Sequence, residues 1–250
     1  MLVDTHAHLG DPVFDPDRRE VLDRAEAVGV QRVVVVAETL DEARRNLALA
    51  AEDPRMWPTA GLYPTVLDRD QAAAIEDLLR AERDRFVAVG EVGLDYWMVQ
   101  DPEQRRLQRE IFVRAVRLAG ELDLPINIHS RSAGRHAVDL LIEQRARRVH
   151  LHAFDGKGAH ARRAAEAGFK LSIPPSILRS QQKQKLVRAL PLEALMVETD
   201  SPVLGPEPGE RNEPANAILA IREIARLKGL SEEAVTRAVT ANTEALYGQL

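Results

Sequence analysis

Six side chains able to hold a divalent ion recur along this chain in one kind of place. His6 and His8 lie in Asp4-Thr-His-Ala-His, and Glu91 in Val89-Gly-Glu-Val-Gly-Leu. His129 closes Pro125-Ile-Asn-Ile-His, His152 opens His152-Ala-Phe-Asp-Gly, and Asp200 sits in Val197-Glu-Thr-Asp-Ser-Pro. Each stands at or just past the carboxyl end of a short β-branched run. A two-residue separation in extended chain puts His6 and His8 on one side, so both imidazoles can face a single ion. Four imidazoles and two carboxylates are too many for one tetrahedral zinc. They suit two ions about 3.5–4 Å apart bridged by a carboxylate. Taken singly, each residue has a bland explanation: a chance His-x-His, a Glu capping a helix, a core histidine. Recurrence at the same end of five different strands argues for a metal centre.

With no cysteine in the chain, disulfides, thiolate zinc fingers, iron–sulfur clusters and a cysteine nucleophile are excluded. A nitrogen and oxygen ligand set without thiolate admits Zn, Mn, Mg, Ni or Co. Mg, Mn or Zn is expected. The formal charge of −5, from 34 basic and 39 acidic residues, excludes a protein that coats nucleic acid non-specifically, though not one with a locally basic groove. The remaining histidines read differently. His136 and His160 fall in amphipathic helical segments and are expected in solvent. His150 shares the strand parity of His152 and is expected one layer deeper, in a buried structural role. Glu198 stands in the same relation to Asp200, as a supporting buried acid.

Short apolar runs alternating with longer Glu/Arg/Ala-rich segments must position these residues, a pattern of repeated β–α units. The expected strands are Leu2–Asp4, Arg32–Ala37, Met56–Leu62, Val87–Val92, Ile126–His129, Arg148–Leu151, Lys170–Ile173 and Leu195–Thr199. Helices are expected near Asp17–Val28, Asp41–Ala51, Arg69–Arg83, Pro102–Leu122, Ala133–Gln144, Gly158–Ala167, Ser180–Leu190 and Pro214–Lys228. Asp101 before Pro102 is a good N-cap. Gly229 ends one helix and Ser231 opens a last one reaching about Tyr247. Eight such units in ~250 residues give the size of a (β/α)8 barrel, a TIM barrel, with an extra C-terminal helix, and the barrel's active face is at the strands' carboxyl ends. A doubly wound open sheet is the competitor, but no Gly-x-Gly-x-x-Gly or Walker-type loop follows any strand. One hydrolase domain over 1–250 is expected, with Pro202–Pro214 a long active-face loop. Neither a signal peptide nor an apolar run of ~20 residues is visible, so no membrane contact and a cytoplasmic location are expected.

As a set, Asp4-Thr-His-Ala-His, Gly90-Glu-Val-Gly-Leu-Asp-Tyr, Pro125-Ile-Asn-Ile-His-Ser-Arg, His152-Ala-Phe-Asp-Gly, Glu198-Thr-Asp-Ser-Pro and Arg211-Asn-Glu-Pro resemble the TatD-type metal-dependent deoxyribonucleases of the amidohydrolase superfamily. The motifs run in that family's order across nearly the whole chain. The resemblance implies two divalent ions, with His6, His8, Glu91 and Asp200 around one, Glu91, His129 and His152 around the other, and Glu91 bridging. It implies hydrolysis of DNA phosphodiesters, commonly as a 3′→5′ exonuclease on single-stranded DNA or 3′ ends, with no obligate protein partner visible. Two bridged ions lower the pKa of bound water and clamp phosphoryl oxygens. Asp200 is then the general base. Arg131, two residues past His129, is the candidate bidentate phosphate contact. Tyr63 and Asn212 are further substrate-contact candidates, and Tyr96 or Trp97 could stack on a base or pack under a loop. Two positions depart from the family. Gly61-Leu-Tyr63-Pro64 has Tyr where a His is usual, and Asp155 stands where Ser or Thr is common. A tyrosine offers a hydrogen bond but no positive charge, and a carboxylate near a phosphate repels it unless it turns away. The alternative is a hydrolase with the same metal centre acting on a small amide, lactone or phosphoester.

Overall fold

The computed structural model describes residues 2–248. Its strands are β1 (Leu2–Ala7), β2 (Val30–Val35), β3 (Met56–Ala60), β4 (Ala88–Gly93), β5 (Ile126–His129), β6 (Val149–Leu151), β7 (Lys170–Ile173) and β8 (Leu195–Val197). They form a single sheet in chain order, and every pair is parallel. The helices are α1 (Arg18–Ala27), α2 (Leu40–Glu52), α3 (Arg69–Ala81), α4 (Pro102–Glu121), α5 (Gly134–Glu143), α6 (Gly158–Glu166), α7 (Gln181–Ala189), α8 (Ala217–Lys228) and α9 (Glu232–Tyr247). One helix follows each strand and α9 is extra: a (β/α)8 barrel with a C-terminal helix.

Local chemistry sets these elements. Val33, Val34, Val35 and Val36 are all buried, because a parallel strand under helices has no wet face. Helix starts carry side-chain caps: Asp68 accepts from Asp70 and Gln71 N–H, Asp101 from Gln104 N–H and Ser231 from Ala234 N–H. Gly229 ends α8 at φ 65°, a left-handed conformation that costs glycine nothing. Phe112, Leu118, Leu140, Leu141 and Leu79 fill the layer between sheet and helices.

The barrel interior is polar, and below the six candidate ligands its groups are paired. His150, fully buried, contacts the Tyr247 hydroxyl at 2.8 Å and Ser172 Oγ at 2.6 Å. The Ser172 hydroxyl donates to Glu198, which also accepts from Ala153 N–H. α9 thus reaches under the barrel through Tyr247, and His150 and Glu198 hold the buried roles expected of them. Side chains join β8 to β1: Thr5 Oγ1 donates to Val197 O at 2.9 Å, and Asp4 accepts Thr199 N–H at 2.9 Å. Beyond the strands, Asp200 N–H donates to His6 O and His8 N–H to Ser201 O.

Three expectations need adjusting. β1 runs on to Ala7 rather than ending at Asp4, since Thr5, which spends its hydroxyl on Val197 O, and His6, which faces the site, are polar and so conceal the strand. α8 begins at Ala217, because Pro214–Asn216 forms a 3-10 turn first. His136 is exposed as expected, but His160 is half-buried.

Candidate metal centre

β1, β4, β5, β6 and β8 deliver the six residues to one end of the barrel. Glu91 is the hub. Its Oε1 lies 2.8 Å from both His129 Nδ1 and His152 Nε2. Its Oε2 lies 3.6 Å from His6 Nε2 and 3.7 Å from His8 Nε2, and Asp200 Oδ1 stands 3.5 and 3.4 Å from the same two nitrogens. The His6 ring stacks on His152 at 3.8 Å. One carboxylate therefore turns each oxygen to a different pair of imidazoles. Asp200 has φ 56°, a left-handed conformation that Asp tolerates better than most residues, and this carries the chain after β8 back over β1.

The first group fits an ion on its geometry alone. Spacings of 3.4–3.7 Å are too long for hydrogen bonds. Ligand atoms each 2.0–2.2 Å from a shared tetrahedral ion stand about 3.3–3.6 Å apart. His6 Nε2 and Glu91 Oε2 are buried without any hydrogen-bond partner, a state few native polar atoms are left in. An ion satisfies both. In the second group the donor atoms stand at hydrogen-bond lengths, with His152 Nε2 3.3 Å from His129 Nδ1.

Glu91, Asp200 and His6 hold charge states that suit ligation. Burial would raise Glu91, but the imidazoles of His152, His6 and His129 hold it well below the carboxylate range. Asp200 is likewise kept at about 2 by His8, His6 and His152, against the effect of burial. Burial, with His152 alongside, depresses His6 to about 3, so its ring is neutral. His8 and His129 are opposed by burial but raised to about 9, the one by Asp200 and Glu91, the other by Asp95 and Glu91. Binding an ion there displaces protons.

Above the ligands lies a cavity of about 560 Å³ lined by Glu38, Tyr63, Arg131, Asp155, Lys183 and every candidate ligand except His6. Tyr63 packs edge-on to His129, with ring centroids 5.0 Å apart. Burial and the nearby carboxylates push its phenol pKa up, so it keeps its proton. Arg131 is exposed at the rim. Asp155 accepts the Ser132 N–H at 2.8 Å, which ties its carboxylate into the turn beyond Arg131. Asn212 is a correction. It is 1% exposed, and its amide donates to Thr199 O and Val203 O and accepts from Glu213 N–H and Asn216 Nδ2. Every hydrogen-bonding position is occupied in clamping the Pro202–Pro214 loop, and none is left for substrate.

A family model described as TatD related DNase matches residues 3–248. The chain belongs to that family. Among TatD-related proteins it is 42% identical over 264 residues to deoxyribonuclease TATDN3 of Homo sapiens, covering all of this chain and 95% of that one. It is 34% identical over 256 residues to the uncharacterised metal-dependent hydrolase YabD of Bacillus subtilis, covering 99% of each. The crystal structure of the TatD homologue YJJV from Escherichia coli superposes with a TM-score of 0.91 at 28% identity, covering 98% of this chain and 97% of that one.

Within this TatD framework, three residues at the site have no role assigned by the sequence reading, although Asp95 stands inside the Gly90–Tyr96 motif. Asp95, fully buried, lies 3.0 Å from His129 Nε2 and fixes that ring. Its place four residues after Glu91, where the chain leaves β4, is the signal that could have found it. Glu38 stands 3.9 Å from His8 Nδ1, and burial pushes its carboxyl up to about 7. Lys183, from α7, sends a buried ammonium to the carbonyls of Ala153 and Phe154. Nothing in its helical context announces that.

Proposed function

We propose that this chain is a divalent-metal-dependent nuclease that hydrolyses DNA phosphodiester bonds at two ions, working 3′→5′ on single-stranded ends. The observation that carries the reading is Glu91, whose two oxygens address two separate pairs of imidazoles on the floor of an open cavity. The names of relatives such as human deoxyribonuclease TATDN3 support DNA as the substrate class. His6, His8, Asp200 and Glu91 Oε2 would hold one ion, and His129, His152 and Glu91 Oε1 the other. Mg, Mn or Zn, when bound, supplies a Lewis acid for water and a countercharge for the phosphate.

The chain's own groups do the rest. Asp200 stays ionised at working pH, and its carboxylate takes the proton of the attacking water. Tyr63 keeps its phenolic proton and donates it as a hydrogen bond to a phosphoryl oxygen. Arg131 offers a fork of N–H donors to a phosphate at the rim. With Asp155 held by Ser132 N–H, the acidic departure from the family is drawn into the protein's own backbone.

The test is end-labelled single-stranded DNA incubated with chelated protein, then with Mg or Mn restored. Stepwise loss from the 3′ end that returns with the ion, and is absent in Asp200→Asn that still carries metal by mass spectrometry, is expected. No cleavage with any ion, while two ions stay bound per chain, would overturn the reading in favour of a small ester or amide substrate.

A further inference from the structure

Trp97 is 58% exposed and Met98 61% exposed, an unusual display for large apolar side chains in a loop whose next residue, Val99, is buried. That loop is held firmly. The β4–β5 pairing continues beyond the strands, with Leu94 N–H donating to His129 O at 3.1 Å and Tyr96 N–H to Arg131 O at 3.0 Å. Asp95 Oδ1 accepts both Trp97 N–H, at 2.9 Å, and Met98 N–H, at 2.8 Å. Its other oxygen lies 3.0 Å from His129 Nε2. One buried carboxylate therefore sets the orientation of a candidate ligand and the backbone of the exposed indole together. The Arg131 guanidinium lies 5.3 Å from the Trp97 ring centroid, and Arg131 also lines the cavity above Glu91.

An indole held on a fixed loop, exposed and beside a cavity-lining arginine, has the parts of a stacking platform for a single-stranded nucleobase. Every base presents a π-face, so such a platform needs no particular sequence. We propose that Trp97 stacks on a nucleobase flanking the cleaved linkage while Arg131 pairs with the adjoining phosphate, making Trp97 a positioning residue for single-stranded DNA. Tyr96 cannot share this role, since its side chain is half-buried and packed against the hydrophobic core. The proposal rests on the nuclease reading above and adds to it a site for the base.

The test compares two oligodeoxynucleotides in the metal-loaded enzyme. One carries normal 3′-terminal residues, and the other has abasic tetrahydrofuran residues flanking the terminal linkage. The wild type should show a KM lower by on the order of 10-fold for the base-bearing strand. In Trp97→Ala that preference should collapse towards unity, and Trp97→Phe should restore part of it. An equal base preference in wild type and Trp97→Ala would overturn the platform while leaving the nuclease reading intact. A wild type that hydrolyses a small phosphoester but neither oligonucleotide would overturn the nuclease reading and the platform with it.

Discussion

Asn212→Ala separates two accounts of one motif. Removing the amide deletes four hydrogen bonds, to Thr199 O at 2.7 Å, Val203 O at 2.7 Å, Glu213 N at 3.0 Å and Asn216 Nδ2 at 2.8 Å. Val203 is exposed and its carbonyl can turn to water, but Thr199 is fully buried and its carbonyl cannot. With about 1 kcal/mol for each of the three ordinary bonds, and about 1–3 kcal/mol for the buried Thr199 carbonyl left unpaired, the loss is about 4–6 kcal/mol. At this chain length each kcal/mol moves the melting temperature by roughly 2–4 °C, so a fall of about 8–24 °C is expected. Thr199 precedes Asp200, so loosening the clamp should lower kcat by disturbing that carboxylate, with KM for DNA changed much less. Differential scanning fluorimetry and steady-state kinetics on a labelled oligonucleotide measure both. An unchanged melting temperature together with a KM raised about 10-fold would refute the clamp and show Asn212 to be a substrate contact, since a lost hydrogen bond to a charged group costs about 1.5–3 kcal/mol.

Asp95→Asn should weaken metal binding roughly 10- to 100-fold through its hold on His129, read by titration against a competing chelator; unchanged affinity would leave Asp95 a loop anchor only. A Cβ at Gly61 would stand 2.5 Å from Glu91 O and Gly90 C, so Gly61→Ala should lower metal content and activity together, and full retention of both would show that the Glu91 backbone can yield. Tyr63→His should lower KM for DNA by adding a cation beside the phosphate, and no change would remove this position from substrate binding. Asp53, bonded by the Arg55 guanidinium, has its pKa held below 3.8, so the pair stabilises the fold above that pH and the contribution fades as pH falls through the lowered value. Asp53→Asn should therefore be less stable by ~1 kcal/mol or less at pH 7. In urea melts the gap should close at low pH; a gap that widens there would contradict the sign.

The barrel and its ligand cluster were legible because both rest on periodic patterns. His129, ending a four-residue strand, and Glu91, beside two glycines, announce the face they occupy once strand ends are located. What the sequence concealed lies where side-chain direction is free. Asn212 sits in a Pro- and Gly-rich loop, where nothing in the neighbouring residues says whether an amide points to solvent or inward. Asp95 stands in the Gly90–Tyr96 motif, which does not say what its carboxylate touches, and Lys183 looks like an ordinary surface charge until α7 is folded over the cavity. Thr5 and His6 masked half of β1 because polarity usually marks a strand's end, whereas here Thr5 spends its hydroxyl on Val197 O and His6 faces the site.

The joining of β8 to β1 bears on when the protein acquires its chemistry. Asp4 and Thr199 meet across 195 positions of chain, so the centre combines residues of the barrel's first strand with residues that follow its last. A growing chain already carries His6 and His8 while Asp200 has yet to be made. Until the eighth strand emerges and docks against the first, the set of His6, His8, Glu91 and Asp200 stays incomplete. The complete centre is therefore withheld, by topology, from any growing chain that has not yet docked its eighth strand against its first.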